Sequence, residues 1–155
     1  MAVSQAELDR RIGRFVETFS RIGMKVTHQR AEIFREAAGS DEHLDAELIY
    51  QRVRKRVTGI SRDTVYRTLA TLEDEGLIRK AEVLGGSARF DANLDQHHHF
   101  VCAVCGAVKD FRSEALDHLP MPDAIKALGS IESAQVHVRG VCAACMDRKA
   151  KRRQS

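Results

Sequence analysis

Apolar residues in the first half of the chain recur at helical spacing. Leu8, Ile12, Phe15, Phe19 and Ile22 make one such stripe. Ser4 and Glu7 ahead of it have capping-box spacing, and Gly23 ends it. A second helix is expected over residues 27–38, stopped by Gly39, and a third over 45–57, burying Leu48, Ile49 and Val53. Ser61 caps a fourth helix that ends at Gly76, with Ile60 and Val65 placed to staple its start. The period then changes to that of strands, over 77–83 and 88–91, with Gly85-Gly86 as the turn between them. Helices followed by such a hairpin describe a winged helix-turn-helix. Beyond it, strands are expected at 97–102, 107–111 and 134–141, and a helix near 121–128. The pattern divides the chain into a winged-helix domain at 1–84, a hinge at 85–91 and a second domain at 92–155.

At 155 residues the chain holds two small domains. Domains of that size bury little core and lean on a metal or a partner chain. No apolar run is long enough for a bilayer, and the first ten residues lack the order of a signal peptide, so a cytosolic location is expected. The net charge of +3 does not by itself mark a nucleic-acid binder. Its distribution says more. Arg52, Arg54, Lys55, Arg56, Arg62 and Arg67 form a basic stretch in which Asp63 is the one acid. For this stretch a solvated helix face and a DNA contact both remain open. The basic tail at 148–153 reads as a solvated, disordered end.

In the fourth helix Val65, Leu69 and Leu72 form the apolar stripe, which turns Arg62, Asp63, Tyr66, Arg67 and Ala70 the other way. The N-terminal part of a recognition helix reaches base edges in the major groove. Arginine reads guanine in bidentate fashion and an aromatic ring packs on a thymine methyl. Arg62, Thr64, Tyr66 and Arg67 are therefore the candidate DNA contacts. An ordinary amphipathic helix has the same pattern, and the strand–turn–strand that follows favours the DNA-binding reading.

All four cysteines fall in two C-x-x-C pairs, Cys102/Cys105 and Cys142/Cys145. In a reducing compartment this spacing argues for one tetrahedral zinc with four thiolates, a closed shell with no place for substrate. A second donor cluster runs from Asp91 to His99. If a strand begins at His97, then His97 and His99 share one face and His98 points away. Asp91 and Asp110 could add carboxylates, and such a mixed set suits iron(II), manganese(II) or zinc(II). His43, beside Asp41, Glu42 and Asp45, reads from the residues alone as a surface or helix-end histidine.

Taken together, these segments resemble the ferric uptake regulator family from about Gly13 to Cys145. The resemblance is carried by Val26-Thr27-His28-Gln29-Arg30, by the run from Ser61 to Leu69, and by Glu75-Gly76-Leu77-Ile78. It continues through Arg89-Phe90-Asp91, the run from His97 to Gly106, and Gly140-Val141-Cys142-Ala143-Ala144-Cys145. It implies a homodimeric repressor of palindromic operator DNA. The implied regulatory site is His43, Asp91, His97, His99 and Asp110, holding iron(II) or manganese(II). Aspartate at both carboxylate positions is similar to the peroxide-responsive branch, which implies oxidation of His43 or His97. The resemblance also implies an α+β fold: an N-terminal winged helix-turn-helix domain, then a small α/β dimerisation domain with a structural four-cysteine zinc site. His28 stands where proline is common. Ala134 stands where some relatives have a histidine, so a third metal site is not expected. His137 is out of phase with that position, and His118 has no assigned role. An iron- or zinc-availability repressor is the alternative. A zinc deaminase is disfavoured because no H-x-E occurs and neither C-x-x-C follows a proline. A metal buffer would need no recognition helix. The chain is expected to be no enzyme, with no small organic substrate and no membrane partner.

Overall fold

The computed structural model describes residues 3–81 and 87–154. The chain forms two compact units, Met1–Leu94 and Asp95–Ser155. Among the described residues no helix is long and apolar enough to cross a membrane.

The first unit contains α1 (Gln5–Arg21), α2 (His28–Ala38), β1 (Leu44–Asp45), α3 (Ala46–Val53), α4 (Arg62–Asp74), β2 (Arg79–Ala81) and β3 (Arg89–Asp91). All four helices begin at a side-chain cap. Ser4, Thr27, Asp45 and Ser61 each accept a hydrogen bond from the backbone N–H three residues on, satisfying one otherwise orphaned donor. Phe15, Phe19, Ile33, Phe34, Ile49, Val53, Val65, Leu69 and Leu72 interlock as the core, with Phe15 stacked on Phe34 at 4.7 Å. Gly76, at φ 68°, supplies the left-handed residue that closes α4. Leu77 and Ile78 then drop into the core ahead of β2.

Strand β3 lies between β1 and β2 in an antiparallel sheet. Residues 89–91 of the expected hinge are thus its central strand. Helices α2, α3 and α4 with this sheet make the winged helix-turn-helix. The expected turn at Gly85-Gly86, and residues 82–83 of the expected strand, lie outside the described residues. Helix α3 ends at Val53 rather than 57, and the turn that follows uses Gly59 at φ 77°. β1 was not foreseen, since two residues carry no period.

The second unit contains β4 (His98–Cys102), β5 (Val108–Phe111), α5 (Glu114–Asp117), α6 (Asp123–Lys126), β6 (His137–Gly140) and α7 (Ala143–Gln154). β4 pairs antiparallel with β5 and parallel with β6. The core here is thin. It consists of the buried Cys102, Cys142 and Cys145 with Phe100 and Ala107 against them, beside a buried Val108. The tail expected to be disordered is helix α7. Its alanine, lysine and arginine residues have high helix propensity, and its basic last turn complements the helix dipole.

Candidate metal centre

The four cysteines meet where two tight turns face each other. Cys102 ends β4 and Cys105 lies in the turn to β5, closed by the Gly106 N–H donating to the Cys102 carbonyl. Cys142 and Cys145 straddle the start of α7, where the Cys142 carbonyl accepts from both Cys145 and Met146 N–H. All four are free thiols, and their sulfurs lie within 4.8 Å of one another. A tetrahedral site with Zn–S bonds of about 2.3 Å requires sulfur–sulfur distances of about 3.8 Å. Cys105 Sγ and Cys142 Sγ stand 3.8 Å apart, so the geometry fits zinc.

The sulfurs are not equivalent. Backbone N–H groups of Cys105 and Cys142 point at Cys102 and bring its thiol down to about 6, whereas burial pushes Cys145 up to about 12. Arg148 opposes that rise, its Nη2 donating to Cys145 Sγ at 3.0 Å. Sequence reading missed Arg148. The available signal was its place one helical turn after Cys145.

The second donor set draws on residues of both units. In the first, His43 Nδ1 lies 3.6 Å from Asp91 Oδ1, both residues buried. Arg89 on β3 donates to the His43 carbonyl at 3.0 Å, fixing the segment that carries the imidazole, and Asn93 N–H donates to Asp91 Oδ1. The histidine read as a surface residue from local sequence is therefore 3% exposed. In the second unit, His97 Nε2 and His99 Nε2 converge to 2.9 Å, with Asp110 Oδ1 at 3.6 and 3.4 Å. The Asp95 carbonyl accepts from His97 Nδ1 at 2.7 Å, which fixes the tautomer and leaves Nε2 as the donor atom for an ion. His98 is turned away, with Nε2 3.1 Å from Asp117 Oδ1 and Nδ1 accepting from Val136 N–H. Two donors in one unit and three in the other each fall short of a shell of four or more.

On α4 the expected buried stripe is buried, and Tyr66 is 50% exposed. Arg62 is engaged within the protein. Its Nε and Nη2 each donate to the Glu47 carboxylate at 3.0 Å, and its guanidinium lies 4.6 Å from the centre of the Tyr50 ring. That pairing holds the Glu47 carboxyl below the usual carboxylate range. Arg67 pairs with Asp63 at 3.0 Å, and the Thr64 hydroxyl lies 2.9 Å from the capping Ser61 hydroxyl. In the basic stretch, Arg52 pairs with Glu36 of α2, and Arg56 with both Glu32 and Glu36.

The comparisons agree with this architecture. Residues 21–139 match the Ferric uptake regulator family. The peroxide-responsive repressor PerR of Staphylococcus epidermidis is 27% identical over 153 residues, covering 95% of this chain and 98% of that protein. The ferric uptake regulator Fur of Helicobacter pylori, described as having three functional metal binding sites, superposes with a TM-score of 0.71 at 24% identity. That match covers 90% of this chain and 93% of the Helicobacter protein. A zinc-bound manganese uptake regulator superposes with a TM-score of 0.67 at 31% identity, covering 81% of this chain and 96% of its own. The chain belongs to the ferric uptake regulator family of metal-responsive regulators.

Proposed function

We propose that the protein is a metal-dependent transcriptional repressor that binds palindromic operator DNA as a homodimer and senses peroxide. Zinc is structural, bound by Cys102, Cys105, Cys142 and Cys145. Iron(II) or manganese(II) is regulatory, bound by His43 and Asp91 together with His97, His99 and Asp110. The observation that carries this reading is the division of buried donors into two incomplete sets, one in each unit. A single ion sharing both sets would favour one orientation of the units and so set the spacing of two recognition helices. Shifting such an equilibrium from 1:99 to 99:1 takes about 5.5 kcal/mol of differential metal binding, within reach of five ligands.

Homodimerisation is supported by the thin core of the second unit and its exposed apolar residues, among them Leu128 at 86%, Ile125, Ile131, Val138 and Val141. DNA binding is supported by the winged-helix fold and by Tyr66 and Arg67 on the outer face of α4. Peroxide sensing is supported by the PerR relative and by aspartate at both carboxylate positions. Iron(II) supplies one-electron chemistry toward hydrogen peroxide, whereas manganese(II) does not readily do so. His43 and His97 are the imidazoles expected to gain an oxygen atom, which removes a ligand and releases DNA.

The test is mass spectrometry of tryptic peptides after low-dose peroxide, alongside an operator mobility shift. One added oxygen on the His43 or His97 peptide of iron-loaded protein, absent from manganese-loaded protein, is expected. Unmodified histidines with DNA binding retained would favour the second reading, a regulator of metal availability. The manganese uptake regulator, at 31% identity, is the observation on that side.

A further inference from the structure

Four thiolates around one zinc(II) leave two negative charges uncompensated, and the protein must answer them from outside the coordination shell. Three of the four sulfurs have distinct surroundings. Cys102 Sγ accepts the backbone N–H of Cys142 at 3.3 Å. Cys105 is exposed to solvent. Cys145 is buried and meets a full cation, Arg148, whose Nη2 donates to its sulfur at 3.0 Å. The same guanidinium donates through Nε to the Ala144 carbonyl at 3.3 Å, so two contacts hold it across the sulfur. Arg148 stands three residues after Cys145 on α7, which places the two on one face of the helix.

Resting on the zinc reading above, we propose that Arg148 is the charge-compensating residue of the four-thiolate site: it draws electron density from Cys145 and thereby keeps zinc bound and the sulfur unreactive. A charge-assisted hydrogen bond to a ligand sulfur lowers its nucleophilicity while leaving the Zn–S bond in place. The consequence is a division of labour by sulfur. Electrophiles meet the exposed Cys105 first, and Cys145 stays closed to them as long as Arg148 is present.

The experiment compares wild-type protein with Arg148→Gln and Arg148→Lys, all purified with zinc and checked for fold by circular dichroism. Zinc release to the chromophoric chelator 4-(2-pyridylazo)resorcinol is followed with and without N-ethylmaleimide, and the order of cysteine alkylation is read by mass spectrometry. Arg148→Gln is expected to release zinc about tenfold faster, with the Cys145 peptide alkylated early. Arg148→Lys, which keeps the charge but loses the second contact to the Ala144 carbonyl, should fall between wild type and the glutamine variant. Equal release rates for wild type and Arg148→Gln would overturn the proposal. So would an Arg148→Lys variant as labile as the glutamine variant. Elemental analysis keeps this outcome separate from the site itself: wild-type protein purified without zinc would remove the zinc reading, and this proposal with it.

Discussion

His98 is fully buried between two candidate ligands and faces the other way. Its ring lies 5.5 Å from that of Phe111, and its nitrogens meet Asp117 and the Val136 N–H. Replacing it with alanine would leave that N–H unanswered and open a cavity, at a cost of about 2–4 kcal/mol. His98→Ala is therefore expected to melt earlier yet keep metal-dependent operator binding. His97→Ala and His99→Ala should lose that dependence. A mobility shift with a parallel thermal melt distinguishes the two effects, and the opposite pattern would refute the register of β4. The alternation of His97 and His99 is legible in sequence because it is local. The partners Asp117 and Val136 are not, since the Val136 N–H comes from 38 positions away. His43 misled for the same reason: its acidic neighbours suggest a surface, while it is buried and meets Asp91 and Arg89, both supplied by β3.

At the scale of elements, α4 shows what a cap and a stripe can encode. Ser61 at one end, Gly76 at the other and Val65, Leu69 and Leu72 between them specify its limits and its buried face. The occupancy of its outward face could not be read that way, because Glu47, which holds Arg62, belongs to α3. Tyr66→Ala and Arg67→Ala are each expected to cost about 1–3 kcal/mol of operator affinity and to relax one base position. Glu47→Gln removes a negative charge and releases Arg62. It should tighten binding to unrelated DNA and steepen the plot of log K against log salt by up to about one unit. An unchanged slope would mean that Arg62 remains on α3 in the complex. The short elements β1 and α5 have too few residues to express a period. Helix α7 was hidden by its charge, which is equally compatible with a solvated chain end.

For the molecule as a whole, the two units rest on different physics. The first has a packed aromatic and aliphatic core, whereas the second has cysteine sulfurs at its centre and leaves apolar residues exposed. Cys142→Ser is accordingly expected to lose zinc and to become monomeric, measured by elemental analysis and by light scattering on a sizing column. A zinc-free variant that remained fully dimeric would separate the metal from assembly. The fold class was legible because helix and strand periods are distinct in each half, and the paired spacing of the cysteines marked the four-sulfur cluster. Which donors are buried depended on contacts that no local pattern records. Cys102 and Cys142 are 40 positions apart, and β4 and β6 align in parallel across that span. Closing a loop of that length costs about 3 kcal/mol of chain entropy before the strands pair. An ion gripping both turns would tie the two ends of that loop together. Zinc supply would then act as a clock on biogenesis, setting how soon a newly synthesised chain becomes competent to answer any signal at all.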